Sequence, residues 1–515
     1  MPEMSAIHSS RVDDVLRRSA ARSPHSPALA FGPRTWTYRE LDDAVTRAAA
    51  ELLASGVESQ ARVATYGSNS DAYVIAFLAC SRAGLVHVPI NNALTGDELD
   101  YLLTDSGASL VLADPGLAPH VRQVSDVPIV ALRDTDDSLL ARVRSAANPV
   151  PALPEPEVDE SGLVQLLYTS GTTSAPKGAM MSHRALVHEY FSTIVALDLT
   201  GNDAPLHAMP LYHSAGMHVW MMPYLAVGAA NRLLPSADVA TILEQIETHR
   251  AGSIFLAPTV WVPLSQHPDF AGRDLSSMRK AVYGASIMPV PVLEKLQKAL
   301  PDLGFYNAFG QSEIGPLATV LRPEEHAQRP ASCGRPVLNV QIRVIGVDGE
   351  PVEAGGQGEV VYRSPQLCDG YWNKPEMTAE AFRDGWFHSG DLVSIDAEGY
   401  ITVVDRIKDV VNTGGVLVAS REVEDALYTH PGVAEVAVIG VPDPKWIEAI
   451  VAFVVADSAL TEDELIAHTR SRLAAFKVPK RIVFIDELPR NASGKLLKRV
   501  VRADYAESLD RGEGA

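Results

Sequence analysis

Apolar positions recur at helical spacing early in the chain. Leu41, Ala44, Val45, Ala48 and Leu52 share one face of a 3.6-residue helix. Thr37-Tyr38-Arg39-Glu40 stands just before them as a capping box, whose hydroxyl and carboxylate satisfy free backbone N–H groups, and Gly56 is a natural stop. Short apolar runs that read as strands alternate with such helices at 62–66, 109–113, 163–168, 253–257 and 278–283. This alternation predicts an α/β architecture with more than one sheet.

Past Asp391 the texture shortens. Strands are predicted at 358–362 and 400–404, followed by the charged run Asp405-Arg406-Ile407-Lys408-Asp409. A helix at 422–428, strands at 433–441 and 449–456, a second capping box at Thr461-Glu462-Asp463-Glu464 and a strand at 481–485 complete a small α+β domain. The expected organisation is a large N-terminal α/β domain over 1–404, a hinge at 405–408 and a smaller, mobile C-terminal α+β domain over 409–515. The Pro-rich segment 149–156 reads as a surface connection, and the polar residues 507–515 as a frayed end.

Composition narrows the function classes. A chain of 515 residues exceeds what one core usually organises, and 46% hydrophobic with 21% charged residues is ordinary for a globular protein. The net charge of -20 repels phosphate backbones and anionic lipid, so neither nucleic acid nor a membrane surface is an expected partner. A nucleotide pocket remains compatible with that charge, because backbone N–H groups or one local cation suffice. Three cysteines, Cys80, Cys333 and Cys368, stand too far apart for a metal clip and predict a reduced protein. Charged residues break up the first turns, and no apolar run reaches the ~18 residues of a membrane span, so a cytoplasmic location is the expectation.

The sharpest chemical signal is Tyr168-Thr169-Ser170-Gly171-Thr172-Thr173-Ser174-Ala175-Pro176-Lys177-Gly178, placed directly after a predicted strand. Hydroxyls, backbone N–H groups and one ammonium in so short a loop suit phosphate oxygens. It is not a Walker loop, since Lys177 is followed by glycine rather than Ser or Thr.

This loop resembles the TSGTTGxPKG of the adenylate-forming superfamily of acyl-CoA synthetases, adenylation domains and luciferases, and the resemblance runs nearly the whole chain. Pro210-Leu211-Tyr212-His213 is similar to its Pro-Leu-aromatic-His, Tyr283-Gly284-Ala285-Ser286 to its GGAP-type turn and Asn307-Ala308-Phe309-Gly310-Gln311-Ser312-Glu313 to its NxYGxTE. Gly385-Trp386-Phe387-His388-Ser389-Gly390-Asp391 resembles GWxxTGD. Arg406-Ile407-Lys408-Asp409 with Gly414-Gly415 and Glu422-Val423-Glu424 resembles RxKD…GG…EVE, and the 489–495 stretch ending in Gly494-Lys495 resembles PxxxxGK.

The resemblance implies an acyl-CoA ligase of fatty-acyl or aryl type, serving fatty-acid or secondary metabolism, with its active site between two domains. ATP (leaving AMP), Mg²⁺ and CoA are the implied cofactors and co-substrates. Thr169, Ser170, Gly171, Thr172, Thr173 and Lys177 would hold the ATP phosphates, Ser312 the α-phosphate, and Asn307, Phe309 and Gly310 the adenine side. Glu313 would bind Mg²⁺ as a hard oxygen ligand. Asp391 would accept the ribose hydroxyls with Arg406 beside it, and Lys495 would stabilise the forming mixed anhydride. Lys408 would be the hinge, and Gly414 and Gly415 would leave room for the pantetheine arm. His213, Met217, Tyr283, Gly284, Ala285 and Gly310 would line the acyl pocket. His213 reads equally as a hydrogen-bonded core histidine, and His213 with His218 reads as structural rather than as a metal pair.

Ser174 stands where the family's loop has glycine, so a β-carbon would intrude on triphosphate handling at a cost of roughly 1 kcal/mol or more. Leu417, Ala419 and Ile447 are further departures. The leading expectation is a complete ligase that activates a carboxylic acid as its acyl-adenylate and transfers it to CoA. The alternatives are a thioesterification specialist fed with a preformed adenylate, a stand-alone loader of a carrier protein, and a non-catalytic nucleotide-binding homologue. Retention of Lys495, Asp391 and Glu313 argues against the last. The expected pocket region, 211–222 with 283–309, reads as apolar to aromatic with no obvious Lys or Arg for a second carboxylate, which favours an apolar or aromatic monocarboxylic acid. Oligomeric state is not encoded in these motifs.

Overall fold

The computed structural model describes residues 10–145, 150–154, 158–169, 175–286, 288–414, 416–457, 459–490 and 496–510. They form two compact units. The first gathers the described residues of Met1–Thr169 with those of Pro176–Ile342 and Tyr362–Phe387; the second gathers Ala175, Arg343–Val361 and the described residues of His388–Ala515.

The first unit is built on two sheets. In the six-stranded sheet the spatial order is Ile129–Ala131, Ala108–Ala113, Arg62–Tyr66, Val86–Ile90, Leu163–Thr169 and Lys177–Ser182. Only its last pair is antiparallel. The nine-stranded sheet runs from Arg335–Pro336 through Leu317–Leu321, Gly304–Gly310, Lys280–Gly284, Ser253–Leu256, Pro205–His207, Asn231–Leu233 and Pro27–Phe31 to Arg34–Thr37. Its centre is parallel, and its edges turn antiparallel at Leu317–Leu321 and Arg34–Thr37. Val86–Ile90 is buried along its whole length, as strands covered on both faces are.

The predicted amphipathic helix is Tyr38–Ala54, and Leu41, Ala44, Val45, Ala48 and Leu52 all lie in the core. Both halves of its capping box form: Glu40 N–H donates to Thr37 Oγ1, and Thr37 N–H donates to Glu40 Oε2. Helix Asp71–Arg82 is buried on every side and so shows no stripe.

That burial encloses polar groups, which must then find partners. A chain of hydrogen bonds runs through the first unit from Thr65 Oγ1 to His87 Nε2, from His87 Nδ1 to Gln165 Nε2, from Gln165 Oε1 to His218 Nε2 and from His218 Nδ1 to the Tyr190 hydroxyl. Burial pushes His87 and His218 down to about 3, so both imidazoles are neutral.

In the second unit, Ile401–Arg406 pairs antiparallel with Trp386–Ile395. A further sheet follows the order Val416–Val418, Val411–Thr413, Ile447–Ala456 and Val433–Asp443, with Arg481–Phe484 parallel on Ile447–Ala456. Helix Ser420–Tyr428 covers it, its buried Val423 and Leu427 packing with Val436, Val438 and Ile450. The capping box Thr461–Glu464 forms as predicted. Among the described residues, no helix is long and apolar enough to cross a membrane.

Candidate active site

In the first unit the predicted residues gather at the carboxyl ends of parallel strands, where open α/β sheets place their ligands. Strand Leu163–Thr169 leads into the candidate phosphate loop, and Lys177–Ser182 leads out of it in antiparallel register, with Thr169 opposite Lys177. Ser170, Gly171, Thr172, Thr173 and Ser174 lie outside the described residues.

The two edges of the loop are tied to the body of the unit. The Tyr168 hydroxyl donates to Asp105 Oδ2 at 2.8 Å, and the Tyr101 hydroxyl donates to the Pro176 carbonyl at 2.9 Å. Lys374 Nζ closes on Asp105 Oδ1 at 2.7 Å. Lys177 lays its ammonium over the Tyr371 ring, 4.8 Å from the centroid.

Glu313 sits in the short turn Ser312–Ile314, after strand Gly304–Gly310. The Tyr371 hydroxyl donates to its Oε1 at 3.0 Å, and its carbonyl accepts from Cys368 N–H at 2.8 Å. Behind it, Gln366 Nε2 donates to the carbonyls of Ile314 and Leu317, and Ser192 Oγ donates to Gln366 Oε1. Among the described residues no group of three or more His, Cys, Asp or Glu side chains gathers to hold a metal. One hard carboxylate beside the Ser312 hydroxyl fits Mg²⁺, which keeps waters and takes its remaining oxygens from substrate phosphates.

Ser312 Oγ lies 3.0 Å from Ser214 Oγ, which joins the Glu313 turn to the His213 loop. His213 is half-buried, and its Nδ1 accepts from Ala215 N–H at 3.2 Å. Ala215–Met221 is wound as a π-helix, a form that recurs at functional sites. Met217 and Tyr283 are fully enclosed; Met217 packs in the core, and the Tyr283 hydroxyl meets His326 Nε2 at 3.0 Å. Ala285 is exposed and held at φ +64°. Gly284 admits no side chain, because a Cβ there would collide with the Ala308 carbonyl oxygen. Asn307 donates to the Ser332 carbonyl, and Phe309 and Gly310 are half-buried. His218 is committed to Gln165 and Tyr190, consistent with the structural reading.

In the second unit Asp391 is 3% exposed and faces Arg406 in register, Nε to Oδ1 at 2.7 Å. Asp405 accepts from Ser420 Oγ at 2.8 Å, and Lys498 Nζ donates to the same hydroxyl at 2.6 Å. Asp409 pairs with Arg502 at 2.8 Å. Between those two anchored aspartates, Ile407 and Lys408 are exposed. Gly414 takes the left-handed φ of +66° with Trp446 against it. Gly415 and Lys495 lie outside the described residues. Tyr371, Gln366 and Asp105 carry no spacing signal in the sequence; only the folded chain shows them at the site.

The chain matches the family model of AMP-binding enzymes over residues 16–372 and that of the AMP-binding enzyme C-terminal domain over 422–495. It is 39% identical to a feruloyl-CoA synthase of an Amycolatopsis species, covering 95% of this chain and 98% of the relative. It is 33% identical to an indoleacetate–CoA ligase of Aromatoleum aromaticum, covering 94% and 96%. Among solved structures, ATP-bound MatB from Rhodopseudomonas palustris superposes with a TM-score of 0.87 at 30% identity, covering 96% of this chain and 99% of that one.

Proposed function

Since the chain belongs to the family of AMP-binding enzymes and is an ATP-dependent acyl-CoA ligase, we propose that its acid is an apolar monocarboxylic acid carrying an aromatic ring. The supporting observation is the segment 211–222, which holds no Lys or Arg to meet a second carboxylate and in which Tyr212 and His213 stay half-buried beside the Ser214–Ser312 contact. Two relatives named for acids that carry an aromatic ring, the feruloyl-CoA synthase and the indoleacetate–CoA ligase, point the same way.

The chemistry follows from a carboxylate's two defects: its charge repels nucleophiles, and oxide is a poor leaving group. One carboxylate oxygen attacks the α-phosphorus of ATP and pyrophosphate departs, leaving a mixed acyl-phosphate anhydride in which the carboxylate's own charge is gone and the phosphate keeps one negative oxygen. The CoA thiol, giving up its proton, then attacks the carbonyl carbon and AMP departs with the bonding pair. We assign Thr169, Lys177 and residues 170–173 to the phosphates, Ser312 to the α-phosphate and Asn307, Phe309 and Gly310 to the adenine side. Asp391 accepts the ribose hydroxyls, and its bond to Arg406 fixes the carboxylate in place. Lys495 carries the charge that builds up during anhydride formation. Glu313 holds Mg²⁺, which when bound neutralises triphosphate charge.

The proposed domain division is 1–404 and 409–515, joined by a hinge over 405–408. In support, strand Ile401–Arg406 ends here and passes into the short turn Ile407–Asp409, whose Ile407 and Lys408 are exposed. Gly414 and Gly415 would then admit the pantetheine arm.

The test is pyrophosphate release from Mg-ATP across aryl, fatty and dicarboxylic acids, with and without CoA. Release with aryl monocarboxylic acids and a matching thioester supports the reading. Preference for a dicarboxylic acid or an unbranched fatty acid overturns the assignment of the acid.

A further inference from the structure

Tyr371 touches both charged groups assigned to the triphosphate end of the site. Its ring lies under the Lys177 ammonium, 4.8 Å from the nitrogen, well inside the range of a cation–π contact. Its hydroxyl donates to Glu313 Oε1 at 3.0 Å. The cation therefore takes the face of the ring and the anion its hydroxyl edge, with a neutral aromatic group standing between opposite charges.

The tyrosine is itself held from several sides. It is 6% exposed and forms an antiparallel bridge with Ala179, on the strand leaving the phosphate loop. Its N–H donates to Thr378 Oγ1 at 2.9 Å. On one side Met180 N–H donates to the Gly370 carbonyl, and on the other Trp372 N–H donates to the Gly178 carbonyl. Trp372 Nε1 and Lys374 Nζ then both reach Asp105, which also receives the Tyr168 hydroxyl. Residues 370–374 thus strap the loop's exit strand from Gly178 to Met180 and carry Tyr371 at a fixed point on it.

The geometry points to Tyr371 as a positioning residue for metal-bound triphosphate, a role that rests on the assignments of Lys177 and Glu313 above. Lys177 and Glu313 in direct contact would neutralise each other and leave neither free for ligand. The ring attracts the ammonium without cancelling its charge. The hydroxyl fixes one carboxylate oxygen and leaves the carboxylate charge for Mg²⁺. Tyr371 so serves the ATP-consuming half-reaction and not the transfer of a preformed acyl group.

The experiment uses the full chain and calorimetric binding of α,β-methylene-ATP, a non-cleavable analogue, over a Mg²⁺ titration. Tyr371→Phe keeps the ring and loses the hydroxyl; Tyr371→Leu loses both. Tyr371→Phe is expected to raise the Mg²⁺ concentration for half-maximal analogue binding three- to tenfold, with metal-free binding unchanged within twofold. Tyr371→Leu is expected to weaken metal-free binding as well. Thioester formation from a chemically prepared acyl-adenylate should stay within twofold of the unmodified enzyme in both variants, and matched thermal melts establish that each is folded. Glu313→Gln separates the two ways to fail. If it raises the Mg²⁺ requirement and Tyr371→Phe does not, the positioning role is overturned. If neither variant shifts it, the assignment of Glu313 falls and the role with it. Equal losses in analogue binding and thioester formation would mark Tyr371 as structural only.

Discussion

Arg406 Nε stands 2.7 Å from Asp391 Oδ1, and the antiparallel register of their strands sets the two residues directly opposite one another. The carboxylate is buried while the guanidinium is partly in solvent, so Arg406 both compensates Asp391 and fixes its orientation. Asp391→Ala should raise the KM for ATP by about 10- to 100-fold, the range for losing a charged hydrogen bond. Pyrophosphate-exchange kinetics read this directly, and an unchanged KM would remove Asp391 from the ribose site.

Stability should fall on the acid side. Burial pushes His87, His207 and His218 down to about 3 from the usual value near 6.5. Below the usual value the unfolded chain takes up protons that these folded imidazoles refuse. Between the two values each histidine therefore tilts stability downward by about 1.4 kcal/mol per pH unit of acidification. Glu189 works at the other end: burial holds its carboxyl well above the usual carboxylate range, so with rising pH the unfolded chain releases a proton that the folded one keeps. Urea midpoints from pH 5 to 9 should pass through a maximum. Glu189→Gln should flatten the alkaline arm and steepen the acid arm, because the unfolded carboxyl already ionises above its usual value of 4.5.

Ile447 is a β-branched residue held at φ +69° and 58% exposed, so it carries backbone strain with little burial to offset it. Ile447→Gly should stabilise the second unit by about 1 kcal/mol. Hydrogen exchange of the Ile447–Ala456 amides measures this, and faster exchange in the variant would contradict it.

Ser174 is the departure in the phosphate loop that bears on the balance of the two half-reactions. Ser174→Gly should raise acid-dependent pyrophosphate release severalfold without altering thioester formation from a prepared adenylate. Equal pyrophosphate rates before and after the change would exonerate Ser174.

What the sequence disclosed was whatever depends on neighbours along the chain. Thr37 with Glu40 and Thr461 with Glu464 marked helix starts because a capping box is closed within four residues. The predicted strand 62–66 is Arg62–Tyr66, and 163–168 is Leu163–Thr169, because buried parallel strands are plain apolar runs. The motif order marked Asp391 and Arg406, and the fold sets them in register. What stayed hidden depends on contacts far apart in the chain. Tyr371 reaches Glu313 across 58 positions and Gln165 reaches His218 across 53, distances over which no periodicity speaks. The histidines illustrate this best: their neutrality comes from surroundings assembled only on folding.

Gly284 has a consequence for redesign of the enzyme. A Cβ added there would collide with the Ala308 carbonyl oxygen, so this stretch is made of main chain, with no side chain to exchange. Under the acyl-pocket role that the resemblance implies for this turn, libraries aimed at new acids would gain nothing by varying position 284, where any replacement's Cβ meets the main chain of the paired strand. Under the same role, the exposed Ser286 would be the adjustable position, while Ala285, held at φ +64°, would restrict its replacements and the floor of the sheet would stay constant.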